Sequence, residues 1–122
     1  MAPEKTPPPD QTETPASEPQ TADDFIRRAW TLHVKGNLKD SEADFRQAQA
    51  LDARSVEAYY GLGLSLKLQQ HSQPALEAFQ QAIELAKSSD VKEHRVRASM
   101  LSHLASWHVQ TIQSGVGQEP MP

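Results

Sequence analysis

Phe79-Gln80-Gln81-Ala82, with Leu85 three residues further, restates Phe45-Arg46-Gln47-Ala48 with Leu51 at a distance of 34 residues. That period belongs to stacked helix-turn-helix units, each of which buries one face against the next. The recurrence extends upstream, where Phe25, Ala29 and Leu32 return at the same distance as Tyr59, Gly63 and Leu66, so a large-small-large order opens each unit as well. The chain therefore reads as all-α, with two tandem helix pairs. A module of this kind presents a surface and carries no chemistry of its own, which sets the class of function as interaction without naming a partner.

Helix ends follow from the residues between the periodic positions. Thr21, with Asp23 and Asp24 behind it, predicts an N-cap and acids in the first turn, where the helix dipole favours them. Phe25, Ile26, Ala29, Trp30 and Val34 then fall at helical spacing, and Lys35-Gly36-Asn37 supplies the stop. The second helix places Ser41, Phe45, Ala48 and Leu51 on one face and ends around Leu51-Asp52-Ala53-Arg54. Ser55 is expected to cap the third, whose stripe is Ala58, Tyr59, Leu62, Gly63 and Leu66, ending near Gln69-Gln70-His71. Ser72 is expected to cap the fourth, with Pro74 in the first turn, where a missing N–H costs nothing, and Ala75, Phe79, Ala82 and Leu85 facing inward.

The small residues have a packing reason. At Ala29, Gly63, Ala48 and Ala82 a larger side chain would hold two helices apart, whereas small ones let the axes approach to about 8–10 Å. Gly63 in a helix interior costs roughly 1 kcal/mol relative to alanine, so its presence predicts a tight crossing.

Read together, Tyr59-x-x-Leu62-Gly63-x-x-Leu66 and Ala75-x-x-x-Phe79-x-x-Ala82 resemble the tetratricopeptide repeat signature, with Tyr for Trp, Leu for Tyr, and Lys87 at the closing Pro. The first unit matches in kind at Phe25, Ala29, Leu32, Ser41, Phe45 and Ala48, but carries Arg28 at the usual Leu site and Ala53 in place of Pro. The resemblance covers residues 22–89, and it implies a right-handed superhelical stack that acts as a non-catalytic adaptor.

Beyond Leu85 the pattern changes. Ser89 or Asp90 can cap a further helix with a broad stripe of Val96, Met100, Leu101, Leu104, Ala105, Trp107, His108 and Ile112 before Ser114-Gly115. The strict 34-residue offset would put Arg97 at the small-residue site; a frame shifted by about five residues, with Ala98, Leu101, Ser102 and Ala105 in the signature sites, fits better. No partner helix follows, so this element is expected to be a capping helix that covers the last apolar face. The domain plan is an acidic Pro-rich disordered tail (1–20), a repeat domain (21–114, with units 22–55 and 56–89 and a capping helix from about 90), and a second disordered tail (115–122).

In proteins that this chain resembles, the first helices of successive repeats line a concave groove. By matched position that gives Ile26, Trp30, His33 and Val34, then Glu57, Tyr60, Leu64, Lys67 and Leu68, and on the shifted frame Ser99, His103, Ser106 and Trp107. The set is mostly apolar, which suits an apolar or helical segment of another protein. Trp30, Leu64 and Trp107 serve equally well as inter-helix core; Tyr60 and Leu68 are expected to be open, because Tyr59 and Leu66 already fill the packing stripe. A subclass of the family holds acidic chaperone C-termini in a clamp of Lys, Asn and Arg. Here the matching sites hold Ile26, Trp30 and Gly61, which argues against that partner.

Composition narrows the class further. At 122 residues and 37% hydrophobic content there is room for one small domain. Six of the nine prolines lie within the first 19 residues, a stretch without Leu, Ile, Val or an aromatic residue. The net charge of −4 resides outside residues 21–114, leaving the repeat region formally neutral, without the basic stripe that nucleic acid or an anionic membrane requires. Absence of cysteine excludes disulfides and thiolate chemistry. Met1 is followed by Pro3, Glu4 and Lys5 rather than a signal-peptide core, and the longest apolar stretch, Ala58 to Leu66, is too short to span a bilayer, so a cytoplasmic location is expected.

Sites for chemistry are not apparent. His94, His103 and His108 share a helix at separations of nine and five, which places no pair at the i,i+4 spacing that chelates a metal. Asp23/Asp24 and Asp40/Glu42/Asp44 sit at helix starts or on polar faces, and Lys92, Arg95 and Arg97 form a short run diluted by Asp90 and Glu93. Pro7-Pro8-Pro9 reads as a linker or solubilising tail rather than a polyproline ligand. No cofactor, metal or catalytic residue is expected. The alternative to a foreign partner is self-association, a homo-oligomer formed through the apolar groove or the Trp107 face, since two repeats bury little core.

Overall fold

The computed structural model describes residues 18–88 and 91–115. Among them are five helices and no strand: α1 (Ala22–Val34), α2 (Leu38–Leu51), α3 (Val56–Leu68), α4 (Ser72–Ala86) and α5 (Arg95–Ser114). Each helix packs on its chain neighbour, and α3 also touches α1 and α5, so the odd-numbered helices share one face and α2 and α4 the other. The expected tails over 1–17 and 116–122, and the expected cap at Ser89 or Asp90, lie outside the described residues.

Local chemistry sets most of the ends. Thr21 and Asp24 form a reciprocal capping box, the Asp24 N–H donating to Thr21 Oγ1 (3.1 Å) and the Thr21 N–H to Asp24 Oδ2 (3.2 Å). Gly36 ends α1 at φ +85°, and Gln70 takes the equivalent turn after α3 at φ +70°, where a side chain makes the left-handed conformation costly. Ser55 caps α3 by accepting from the Ala58 N–H. Ser72 does not cap α4: it is the first helical residue, and His71 before it accepts the first helical bond through its carbonyl, from the Ala75 N–H at 3.1 Å.

Phe45 and Phe79 are fully buried and centre the two units. A Cβ at Gly61 would overlap the Phe45 ring, and one at Gly63 would fall 2.6 Å from Phe79, so both glycines admit a ring against the backbone of α3. The tight crossing expected at Gly63 is present. Leu51, expected to face inward, is 54% exposed. Its place on the inner side of α2 goes to Asp44, only 5% exposed, which accepts two hydrogen bonds from Arg28 (Nε at 2.7 Å, Nη2 at 2.9 Å). Arg28 and Asp44 stand where Leu62 and Ala78 stand 34 residues on, so an ion pair in the first unit replaces an apolar contact in the second.

The connection from α4 to α5 carries a tie with no counterpart in the first unit. Glu93 reaches back to the start of α3, its carboxylate accepting from the Ser55 hydroxyl (3.1 Å), the Val56 N–H (2.9 Å) and the Glu57 N–H (2.6 Å). Beside it the Lys92 N–H donates to the Arg54 carbonyl and its ammonium to Asp23 at 2.7 Å. An anion on the first N–H groups of a helix satisfies donors that have no intrahelical partner and meets the positive end of the dipole. Glu93→Ala is expected to cost about 2 kcal/mol, read as a lower denaturation midpoint with unchanged m; Glu93→Gln, which keeps one acceptor and loses the charge, should fall between.

The fifth helix starts at Arg95, five residues later than expected, with His94 as N-cap. Its buried residues Ala98, Leu101 and Ala105 stand 40 positions beyond Ala58, Gly61 and Ser65, the buried positions of α3. The frame is therefore one residue from the expected one. In this register the positions by which α3 meets α4, namely Tyr59, Leu62, Gly63 and Leu66, become Ser99, Ser102, His103 and Ser106. A polar face stands where a further partner helix would pack, and the stack ends there.

Candidate functional site: the concave face of α1, α3 and α5

Successive odd helices set their side chains in columns. Ile26, Tyr60 and Met100 form one; Trp30, Leu64 and Leu104 the next; His33, Lys67 and Trp107 a third; Val34, Leu68 and His108 the last. Contacts between columns confirm the register: Glu57 binds Arg97, 40 residues on, at 2.9 Å, and the Lys67 ammonium lies 5.1 Å from the Trp107 ring centroid.

Aromatic rings make up the floor. Trp30 meets Phe45 edge-on at 4.9 Å between centroids and Tyr60 at 6.5 Å; Tyr60 meets Phe79 at 5.8 Å; Phe79 stacks on His108 at 4.8 Å, nearly parallel. Tyr60 is 8% exposed and Tyr59 half-buried, the reverse of what was expected, because the Tyr60 ring fills the space between Trp30, Phe79 and His108. Ile26 is likewise buried. Trp30, His33, Glu57, Leu64 and Lys67 are half-buried, while Val34 (83%) and Leu68 (52%) are open. Trp107 is exposed on the α5 wall. His103 points away from α4, with its Nδ1 on the Ser99 carbonyl at 3.0 Å, and Ser99 and Ser106 share that outer side.

The ionic groups are consumed within the face. Glu57 accepts from the Trp30 indole N–H (2.8 Å) on α1 and from Arg97 on α5, bridging three helices. Lys67 donates to His108 Nδ1 (2.8 Å) and Thr111 Oγ1 (3.4 Å). Met100, Leu104, Arg97 and His108 belong to this surface although position-matching from the first two units missed them; a shift of the frame by one more residue would have found them. No three His, Cys, Asp or Glu among the described residues lie close enough to hold a metal, and no described helix is long and apolar enough to cross a membrane.

Residues 56–89, spanning α3 and α4, match the family described as tetratricopeptide repeat. This segment is a tetratricopeptide repeat. The pair α1–α2, outside the matched residues, repeats its phenylalanine-on-small-residue packing 34 positions earlier. Comparison with curated proteins and with solved structures found no match. A tetratricopeptide repeat is in general a non-catalytic interaction fold, and its usual partners are proteins.

His108 makes this repeat face sensitive to acid. Burial, and next the charge of Lys67, lower its pKa from 6.5 to about 4, so it is neutral in the fold and accepts from Lys67. His33, whose Nδ1 is buried without a partner among the described residues, is also lowered by burial. Because the unfolded chain takes up a proton below about 6.5 and folded His108 only near 4, stability is full above the first value and falls as pH drops toward the second. At about 1.4 kcal/mol per unit the loss is on the order of 2–3 kcal/mol. Thermal melts at pH 7.5 and 4.5 should show it, and His108→Gln should flatten the dependence.

Proposed function

We propose that the concave face binds an apolar, helical segment of another protein. The observation that carries this reading is the division of labour on the surface: its charged groups are paired across α1, α3 and α5, whereas Val34, Leu68, Met100, Leu104 and Trp107 remain exposed around them. A ligand with a row of charges would find no free counter-ion there, but one with apolar residues at i, i+3 and i+4 would bury side chains against Leu64, Leu68 and Leu104. The absence of a Lys-Asn-Arg clamp at Ile26, Trp30 and Gly61 supports the same choice over acidic chaperone tails.

The test uses the full chain against a displayed library of amphipathic-helix peptides. Selected sequences should carry an apolar stripe at helical spacing, and Leu68→Asp should weaken their binding at least tenfold with unchanged far-ultraviolet circular dichroism. Leu68 suits this better than Tyr60, whose burial would mix binding with folding. Binding indifferent to Leu68→Asp would overturn the groove.

A further inference from the structure

We propose that two copies of this chain pair through α5, antiparallel, about a twofold axis passing between Met100 and Leu104. Val96, Met100, Leu104 and Trp107 follow one another at spacings of four, four and three, and all are exposed, forming one apolar stripe along the helix.

Three observations select a second copy as the occupant. The first is that the ends of the stack are closed. At the α5 end stand Ser99, Ser102, His103 and Ser106; at the α1 end, the positions matching Ala58, Gly61 and Ser65 hold Asp24, Arg27 and Thr31. Copies therefore do not add end to end, and the side-facing stripe is the apolar surface left to them. The second is that the stripe is nearly symmetric about its centre. In an antiparallel pair Val96 faces Trp107 of the second copy and Met100 faces Leu104, large against small, as an isologous contact requires.

The third is charge. α5 carries Arg95 and Arg97 in its first turn, at the positive end of its dipole, has no acid anywhere in its 20 residues, and has no base in its last turn. Both ends are unfavourable for an isolated helix. Antiparallel pairing lays Arg95 of each copy near the last carbonyls of the other and relieves both ends twice; parallel pairing would set like charges side by side. The stripe is also the α5 wall of the groove, so this inference rests on that wall being a contact surface, while the α1 and α3 part stays open to a foreign segment.

Four side chains a copy make less than a standard interface, so the pair should be concentration-dependent, with half-assembly at roughly tens of micromolar. In sedimentation equilibrium of the full chain from about 5 μM to about 1 mM, the mass is expected to rise from 13.5 kDa toward twice that value. Met100→Glu with Leu104→Glu, both exposed positions, should hold it at the monomer with unchanged circular dichroism, and Leu68→Asp should leave the dimer intact. A wild-type monomer throughout, or a dimer that survives the two glutamates, would overturn the proposal; the former leaves a foreign helix as occupant and the groove reading standing. A dimer lost only in Leu68→Asp would move the contact to α3 and also overturn it. Since the chain has no cysteine, orientation is read by mixing Met100→Cys with Leu104→Cys chains: preferential heterodisulfides support the antiparallel pair, and preferential homodisulfides refute it.

Discussion

Truncation of Phe79 to alanine is expected to cost about 3–5 kcal/mol, the range for a buried aromatic side chain whose site cannot collapse. Phe79 is fully buried, lies against the Gly63 backbone, and is stacked on His108 beside Tyr60. Collapse is resisted because α3 already approaches α4 as closely as a glycine allows, and because the His108 ring is held from the other side by Lys67. A domain of about 95 residues has a total stability of roughly 5–14 kcal/mol, so the variant should have lost a third or more of it. Urea titration followed by circular dichroism would measure the loss. The same variant should also respond less to acid, since removing the stacked ring admits water to His108 and relaxes the burial that lowers its pKa. A cost below about 1 kcal/mol would mean that Phe79 is not the centre of the second unit.

The second large effect concerns Arg28 and Asp44. Replacing Arg28 by leucine alone leaves a buried carboxylate without its two donors and should cost about 2–3 kcal/mol, somewhat less than a fully buried pair because the arginine side chain is half exposed. Asp44→Ala alone leaves a guanidinium that can turn to water, so its cost should be smaller. The double change Arg28→Leu with Asp44→Ala copies the residues that stand at the same places in the second unit, Leu62 and Ala78, and is expected to restore stability to within about 1 kcal/mol of the starting chain. Denaturation of the four chains gives a coupling of about 2 kcal/mol if the pair acts as a unit. Simple additivity would show that the two residues fold independently and that the ion pair is surface decoration.

How much of this was legible beforehand depends on the kind of interaction. The recurrence of Phe45 at Phe79, of Ala29 at Gly63 and of Ala48 at Ala82 announced both helix pairs and their close crossing. Burial acts on every turn of a helix and so writes a period into the chain. Thr21, Gly36 and Ser55 announced helix ends for a similar reason, since a cap is satisfied within three or four residues. Tyr60 was misjudged because Tyr59 and Tyr60 have the same chemistry, and only the angle at which α3 lies between α1 and α5 says which ring turns inward. The groove register on α5 slipped by one residue because the connection before it is eight residues long, against four between α2 and α3, and nothing in a loop's composition states its rise. Glu93 gave no signal at all: its partners lie at Ser55, Val56 and Glu57, and a carboxylate that crosses from one connection to the start of a distant helix makes a single contact that never repeats. Interactions that recur along a helix leave a pattern in the order of residues; those made once, between segments brought together by packing, come into being only when the helices have docked.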